Sequence, residues 1–263
     1  MIKFCSLFSG SSGNCIFIAA DRTKILIDAG LSAKRIIEAL VSIGEKPSEL
    51  SAVLVSHEHI DHIRGAGIIS RKYNIPVFAN ESTWEAMDRS VGPVSLINKQ
   101  YFNTGREFEI GEVLVKAFPI PHDAAEPVGF SFFAGNRKVT VATDIGHIND
   151  ELLNNFEMSE LLLLESNHDV EMLRIGPYPW MLKKRIAGDF GHLSNEMAGK
   201  AIVHMAEKGT RRFLLGHLSR ENNFPELAYQ TVCNALYERQ IIVGTDVALD
   251  VVLRDKVGKV IEL

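Results

Sequence analysis

Short apolar runs separated by Gly, Pro, Asn and Ser clusters recur along the whole chain, and between several of them lie stretches with apolar residues at helical spacing. Ile2 to Phe8, Cys15 to Ala19 and Lys24 to Asp28 read as three strands. They are joined by the Ser9 to Asn14 turn and by Asp21-Arg22, which makes an antiparallel meander. Ser32 is placed to cap a helix whose Ile36, Ile37, Leu40 and Val41 form one buried face, and Pro47 closes it. Ala52 to Val55 is a buried strand. Ile63 to Tyr73 reads as a helix carrying Gly65 and Gly67, small residues that permit close backbone approach. Pro76 to Ala79 and Val94 to Ile97 read as strands on either side of a helix over Ser82 to Arg89. Two hairpins follow, one over Glu107 to Phe118 turning at Gly111, the other joining Val128 to Phe133 with Lys138 to Thr143 through Gly135-Asn136. Leu161 to Glu165 and Arg212 to Leu215 are further strands, and a helix capped by Ser194 or Asn195 follows His192. Strand and helix alternate, so sheets covered by helices are predicted and an all-β protein is not.

Composition changes this picture little. With 263 residues, 46% hydrophobic and 23% charged, the chain reads as an ordinary soluble globular protein, long enough for one large α/β domain or two small ones. No linker separates its halves. A net charge of -5 gives no global attraction to nucleic acid, so such a partner must be held by a local basic patch. Three cysteines, Cys5, Cys15 and Cys233, in a chain of this length favour a reducing cytoplasm over a disulfide framework. Lys3 and Ala19-Ala20 imitate a signal peptide weakly, but Ser9 to Asn14 interrupts the apolar region too early. No apolar run approaches the roughly 20 residues that span a bilayer. A cytoplasmic protein without a membrane partner is expected.

The chemistry concentrates after the strand Ala52 to Val55, in His57-Glu58-His59-Ile60-Asp61-His62. Three imidazoles and a carboxylate within this span suit a divalent metal and neither a core nor a solvated surface. Without thiolate they favour Zn²⁺, Mn²⁺ or Fe²⁺ at a catalytic site over a structural zinc. On extended backbone His57, His59 and Asp61 project to one side and His62 to another, so one loop can serve two metals. Asp28, at a strand end before a helix, either braces a ligand imidazole or is an ordinary turn aspartate. Ser9 to Asn14 is either a long turn or a loop whose N–H groups or Asn14 reach a substrate phosphate. His122 sits between Pro119-Ile120-Pro121 and Asp123 at a strand end, in position for a third imidazole. Gly-His-Leu-Ser occurs twice, at Gly191 to Ser194 and Gly216 to Ser219, each histidine beside a structural boundary. Around these motifs Arg174, Lys183, Lys184, Arg185, Arg211, Arg212 and Arg220 make the second half locally basic. They are either a solvated face or contacts to a polyanion, with Tyr178 and Trp180 either stacking on a base or packing a helix start.

His-x-His-x-Asp-His after an apolar strand resembles the signature of metallo-β-lactamase-fold hydrolases, and Ser9-Gly10-Ser11-Ser12-Gly13-Asn14 resembles the YycJ/WalJ branch, over nearly the whole chain. The resemblance implies a four-layer αββα sandwich, one domain over residues 1–263 built of two similar halves. It implies a first metal held by His57, His59 and His122, a second by Asp61, His62 and His217, and a bridging Asp144 whose two oxygens hold cations about 3.5–4 Å apart. Zinc or manganese is the expected pair. By similarity to ribonuclease Z and the β-CASP nucleases, His192 and Glu165 form a pair near the leaving group, and Asp61 and His192 carry the catalysis. His147 has a supporting or structural role. Asn14, Lys183, Lys184, Arg185 and Arg220 are the expected substrate contacts.

The function implied is hydrolysis of DNA phosphodiesters by an exonuclease. A small-molecule hydrolase acting on a cyclic phosphodiester, lactone or thioester is the alternative, because a fold does not settle a function. A metal-binding regulatory protein is a third reading, disfavoured by the complete ligand set. The chain lacks the large inserted domain of β-CASP enzymes and the protruding arm of ribonuclease Z. Capture of DNA therefore falls to the core surface or to a second copy in a homodimer.

Overall fold

The run Leu161-Leu162-Leu163-Leu164 shows how this sequence builds layers. On a strand, alternate side chains face opposite ways, and Leu161 and Leu163 join one buried cluster while Leu162 and Leu164 join another. Both faces of such a strand must be covered, and they are: every residue of this run is fully buried.

The computed structural model describes all residues, 1–263. Strands β1 (Ile2–Phe8), β2 (Cys15–Ala20) and β3 (Thr23–Ile27) form the expected antiparallel meander. Then come α1 (Ala33–Ser42), β4 (Ala52–Leu54), α2 (Ile60–Ile63), α3 (Ala66–Tyr73), β5 (Val77–Ala79), α4 (Glu81–Val91) and β6 (Lys99–Tyr101). The second sheet begins with β7 (Glu107–Ile110), β8 (Val113–Pro119), β9 (Val128–Ala134) and β10 (Arg137–Ala142). After these the chain runs through α5 (Asp150–Phe156), β11 (Leu161–Glu165), α6 (Val170–Ile175), α7 (Trp180–Ile186) and α8 (Asn195–Glu207). It ends with β12 (Arg212–Gly216), α9 (Pro225–Glu238), β13 (Ala248–Val251) and β14 (Ile261–Glu262).

The sheets are ordered β14-β1-β2-β3-β4-β5-β6 and β13-β12-β11-β10-β9-β8-β7. In each, an antiparallel run gives way to parallel pairing, at β3 in the first and at β10 in the second. Phe4, Ile18, Ile25, Phe130, Phe132 and Leu163 fill the space between the sheets. The outer face of the first sheet is covered by α1, α3 and α4 through Phe17, Leu26, Ile36, Leu40, Ile69 and Trp84. The outer face of the second is covered by α5, α8 and α9 through Leu162, Phe213, Phe156, Ile202 and Val232. Four layers, helix, sheet, sheet and helix, result. No helix is long and apolar enough to cross a membrane, and the three cysteines are free.

Three local expectations are corrected. Val94 to Ile97 is not a strand: Leu96 and Ile97 are 86% and 74% exposed, and pairing with β5 begins only at Lys99. The helix expected over Ile63 to Tyr73 is broken at Arg64-Gly65, because the Gly65 N–H is drawn to the Ala29 carbonyl at 2.7 Å. The buried face of α1 is Ala33, Ile36, Ala39 and Leu40; Val41 points into solvent. Of the two candidate caps of α8, Ser194 takes the role and accepts from Met197 N.

Candidate metal centre

Five chemistry-bearing side chains lie just beyond the carboxyl ends of parallel strands: Asp28 after β3, His57 after β4, Asp144 after β10, Glu165 ending β11 and His217 after β12. Three of them, Asp28, Asp144 and His217, have left-handed backbone, with φ of 59°, 61° and 54°. Asp and His tolerate that region better than most residues.

The loop after β4 is positioned by backbone contacts that leave no room for side chains. Asn14 N–H donates to the Asp61 carbonyl at 2.8 Å, Ala29 N–H to the His62 carbonyl at 2.7 Å, and Gly30 N–H to the Asn14 carbonyl at 2.8 Å. A Cβ on Gly30 would lie 1.5 Å from the Asp61 carbonyl oxygen, so only glycine permits this approach. The chain turns helical at Ile60, which alters the expected alternation. Asp61 does not join His57 and His59 on one side; it lies with His62 and His217.

The result is two groups of side chains meeting at Asp144. His57, His59 and His122 bring one ring nitrogen each within 4.8 Å of one another, and so do the donor atoms of Asp61, His62 and His217. His57 Nε2 and His59 Nδ1 are 3.1 Å apart, close to the roughly 3.3 Å that separates two nitrogens bound tetrahedrally to zinc at ~2.0–2.1 Å. Asp144 Oδ2 is 3.4 Å from His62 Nε2, and Oδ1 is 3.5 Å from His217 Nε2 and 3.9 Å from His122 Nε2.

A second layer sets the tautomers. His62 Nδ1 donates to Asp28 Oδ2 at 2.7 Å, His217 Nδ1 to Glu165 Oε1 at 2.7 Å, and His122 Nδ1 to the Gly191 carbonyl at 3.0 Å. Ser56 Oγ lies 3.0 Å from His57 Nδ1 and donates to Asp28 Oδ2 at 2.9 Å. With each Nδ1 proton held outside, the Nε2 lone pairs face inward, the orientation a metal ligand needs. His122 Nε2, His217 Nε2 and Asp144 Oδ2 are buried without any hydrogen-bond partner. Buried polar atoms are rarely left so, and divalent cations held by the two groups would satisfy them. The residues present fit divalent metal.

The electrostatics of the metal-free cluster favour the neutral, ligating form for two of the imidazoles. Burial pushes His57 well below the usual imidazole range and lowers His122, leaving both neutral as ligands should be. Burial would raise Asp144, but His217, His62, His57 and His122 outweigh it and hold the carboxyl well below its ordinary range. Burial likewise disfavours charge on His62, yet Asp28 and Asp144 lift it to about 10 in the metal-free cluster, so a cation would have to displace its Nε2 proton to bind there. Glu165, fully buried, accepts from His192 Nδ1 at 2.8 Å as well as from His217, while its Oε2 accepts from the N–H groups of Ile145 at 2.6 Å and Leu193 at 3.2 Å. Its burial is outweighed by the two histidines, and the carboxyl sits at about 2. His192, also opposed by burial, is raised to about 9 by Glu165. Glu165 reaches no solvent and acts through the two imidazoles it orients.

The expected substrate contacts are placed differently from one another. Asn14 is buried; its Oδ1 accepts from Gly10 N at 3.0 Å and its Nδ2 faces His62 Nε2 at 3.0 Å, so it braces the cluster and does not reach outward. Ser9 Oγ accepts from His217 N at 2.8 Å, which ties the same loop to the second sheet. Arg185 is engaged in a two-pronged pair with Asp123, next to His122. Lys183 donates to the Arg174 carbonyl at 2.8 Å, Lys184 has no partner, and Arg220 is exposed, 3.8 Å from Glu221. His147 Nδ1 donates to the Asp189 carbonyl at 2.9 Å, a structural contact. Ser56 and Arg254, which donates to the Leu218 carbonyl beside Gly10, were not expected at the site; Ser9 lies in the loop expected there, though for its backbone and not for its hydroxyl. Only Ser56, immediately before the histidine motif, carried a positional signal.

Residues 23–218 match the family model described as the β-lactamase superfamily domain. An exodeoxyribonuclease of Streptococcus pneumoniae, WalJ, is 42% identical over 93% of this chain and 91% of its own length. A second, YycJ of Bacillus anthracis, is 42% identical over 92% of each chain. Among solved structures, the metallo-β-lactamase-fold protein YhfI of Bacillus subtilis superposes over the full length of both chains with a TM-score of 0.74 at 15% identity, which shows the fold alone. The chain has the metallo-β-lactamase fold and belongs to the WalJ/YycJ family of the β-lactamase superfamily.

Proposed function

We propose that the protein is a metal-dependent phosphodiesterase that removes nucleotides from DNA ends, an exonuclease. One observation carries the reading: two ligand groups face each other across Asp144, with the His192–Glu165 pair beside them. The 42% identical relatives, both exodeoxyribonucleases, support DNA as the substrate.

In this reading His57, His59 and His122 hold one cation, Asp61, His62 and His217 a second, and Asp144 lies between, with zinc or manganese as the pair. Bound there, such ions lower the pKa of coordinated water and neutralise charge developing on phosphoryl oxygens. Asp28, Ser56 and Glu165 keep the ligand lone pairs aimed inward. His192 carries a proton near neutral pH, because Glu165 raises it to about 9, and Nδ1 is committed to that carboxylate. The Nε2 proton is then the one delivered to the leaving oxygen. Asp61, half-buried and on the open side of the cluster, orients the attacking water. We read the chain as one domain over residues 1–263 built of two similar halves, working in the cytoplasm, with exposed Lys184 and Arg220 and a second copy of the chain as means of holding DNA.

The test is digestion of end-labelled duplex DNA, single-stranded DNA and RNA with Mn²⁺ or Zn²⁺, beside bis(p-nitrophenyl) phosphate and an Asp61→Ala control. Stepwise nucleotide release from DNA, lost in the variant and after chelation, is the expected result. Hydrolysis of the small diester alone would replace the nuclease with a small-molecule phosphodiesterase.

A further inference from the structure

A cavity of about 640 Å³ opens beside the cluster, between α6, α7 and the start of α8. That volume lies within the range of small-molecule sites. His192 is its wall on the metal side, so one imidazole borders both the cluster and the cavity. The remaining lining is largely apolar, with Val170, Leu173, Leu193 and Met197.

Two features of this cavity have no structural explanation. His168 lines it, is only 3% exposed, and has an Nδ1 with no hydrogen-bond partner. Trp180, the first residue of α7, is 75% exposed at the rim; a tryptophan that merely packed a helix start would bury its ring. Burial lowers His168 to about 4, so near neutral pH the ring offers one donor and one acceptor, as a nucleobase edge does. The cations do not make this an anion site: Arg174 is paired with Glu171, Lys183 donates to the Arg174 carbonyl, and Lys184 alone is unengaged.

We propose that this cavity receives the base of the terminal nucleotide, stacked on Trp180 with its edge toward His168, while the scissile phosphodiester lies at the cluster across His192. The inference rests on the nuclease reading and adds to it how the strand end is held. Every base has a π-face, so stacking tolerates any sequence, and a released deoxynucleoside monophosphate retains its hold on the cavity and inhibits.

Trp84 and Trp180 are the two tryptophans, and Trp84 is 3% exposed, its Nε1 donating to the Gln100 carbonyl. A ligand-dependent fluorescence change in the chelated, full-length protein is therefore assigned to Trp180. Titration with dAMP and with deoxyadenosine should give saturable quenching, inorganic phosphate should give none, and Trp180→Phe should abolish the change. His168→Ala should weaken nucleoside binding, and Trp180→Ala should raise the KM for DNA about tenfold with kcat retained. Quenching by phosphate alone, or none with deoxyadenosine, overturns the base site. Digestion of DNA by wild type without quenching overturns it while keeping the nuclease. Quenching without any digestion keeps the nucleoside site and removes the nuclease reading.

Discussion

Replacing Glu165 with glutamine removes one charge and almost no volume, and it tests how the second-sheet histidines are set. The carboxylate accepts from His192 and His217 through Oε1 and from the N–H groups of Ile145 and Leu193 through Oε2. Four donors converge on it and no solvent reaches it. An amide presents NH₂ on one side, so in either orientation two donors meet a donor. If the NH₂ faces the histidines, their Nδ1 atoms must become acceptors. The protons then move to Nε2, where His217 cannot ligate. If it faces the backbone, two buried N–H groups lose their acceptor. Hydrogen bonds to a charged group contribute ~1.5–3 kcal/mol each, so losing two costs about 3–6 kcal/mol, overlapping the ~3–5 kcal/mol for breaking a buried ion pair. The orienting role adds a tenfold to hundredfold loss of metal affinity. Urea unfolding of the chelated protein reads the first quantity and calorimetric titration with Mn²⁺ the second. A Glu165→Gln variant matching wild type in both would refute the argument that this carboxylate sets the tautomers.

Gly30→Ala should destabilise the protein by roughly 3 kcal/mol and release metal, because its Cβ falls 1.5 Å from the Asp61 carbonyl oxygen and the ligand loop must move; an unchanged urea midpoint with full metal content would contradict this. The pH dependence of the chelated protein has a definite sign. His192 and His62 are raised from 6.5 to about 9 and about 10, so their stabilisation is complete below pH 6.5 and is lost as pH rises through those values. Glu165, lowered from 4.5 to about 2, contributes above pH 4.5 and less as pH falls toward 2. His57, His122 and His168, all lowered by burial, add a loss of stability as pH falls below 6.5. The urea midpoint should therefore peak near pH 6.5, and a flat profile from pH 6.5 to 10 would count against the carboxylate–histidine pairs.

Much of the site was legible because its chemistry is local. His57, His59, Asp61 and His62 lie in one hexapeptide, and the strands before them and before Glu165 are unmistakably apolar. What sequence concealed was set by distant partners. Arg185 looks like a free cation until Asp123, 62 positions away, takes its guanidinium. Asn14 looks like a loop residue open to substrate until the loop folds inward onto His62. Leu96 and Ile97 have the pattern of a strand, but nothing packs on them, and the polar Lys99 to Tyr101 pairs with β5 instead. Nor does residue order reveal that Asp61 turns from the other motif residues once α2 begins at Ile60.

The cluster draws on both sheets, and this has a consequence for the order in which the protein is made. His57, His59, Asp61 and His62 emerge from the ribosome early, whereas His217 follows His62 by 155 residues (217 − 62). At ~5–20 residues per second that is a delay of roughly 8–30 s. Through this interval the nascent chain displays a histidine-rich loop without His217, and for the first 82 residues of it (144 − 62) without Asp144 either, while β1 still lacks β14, which joins its edge from residues 261–262. Metal that arrives early meets half a site. Starving cells of metal during translation and restoring it afterwards should therefore still yield filled protein.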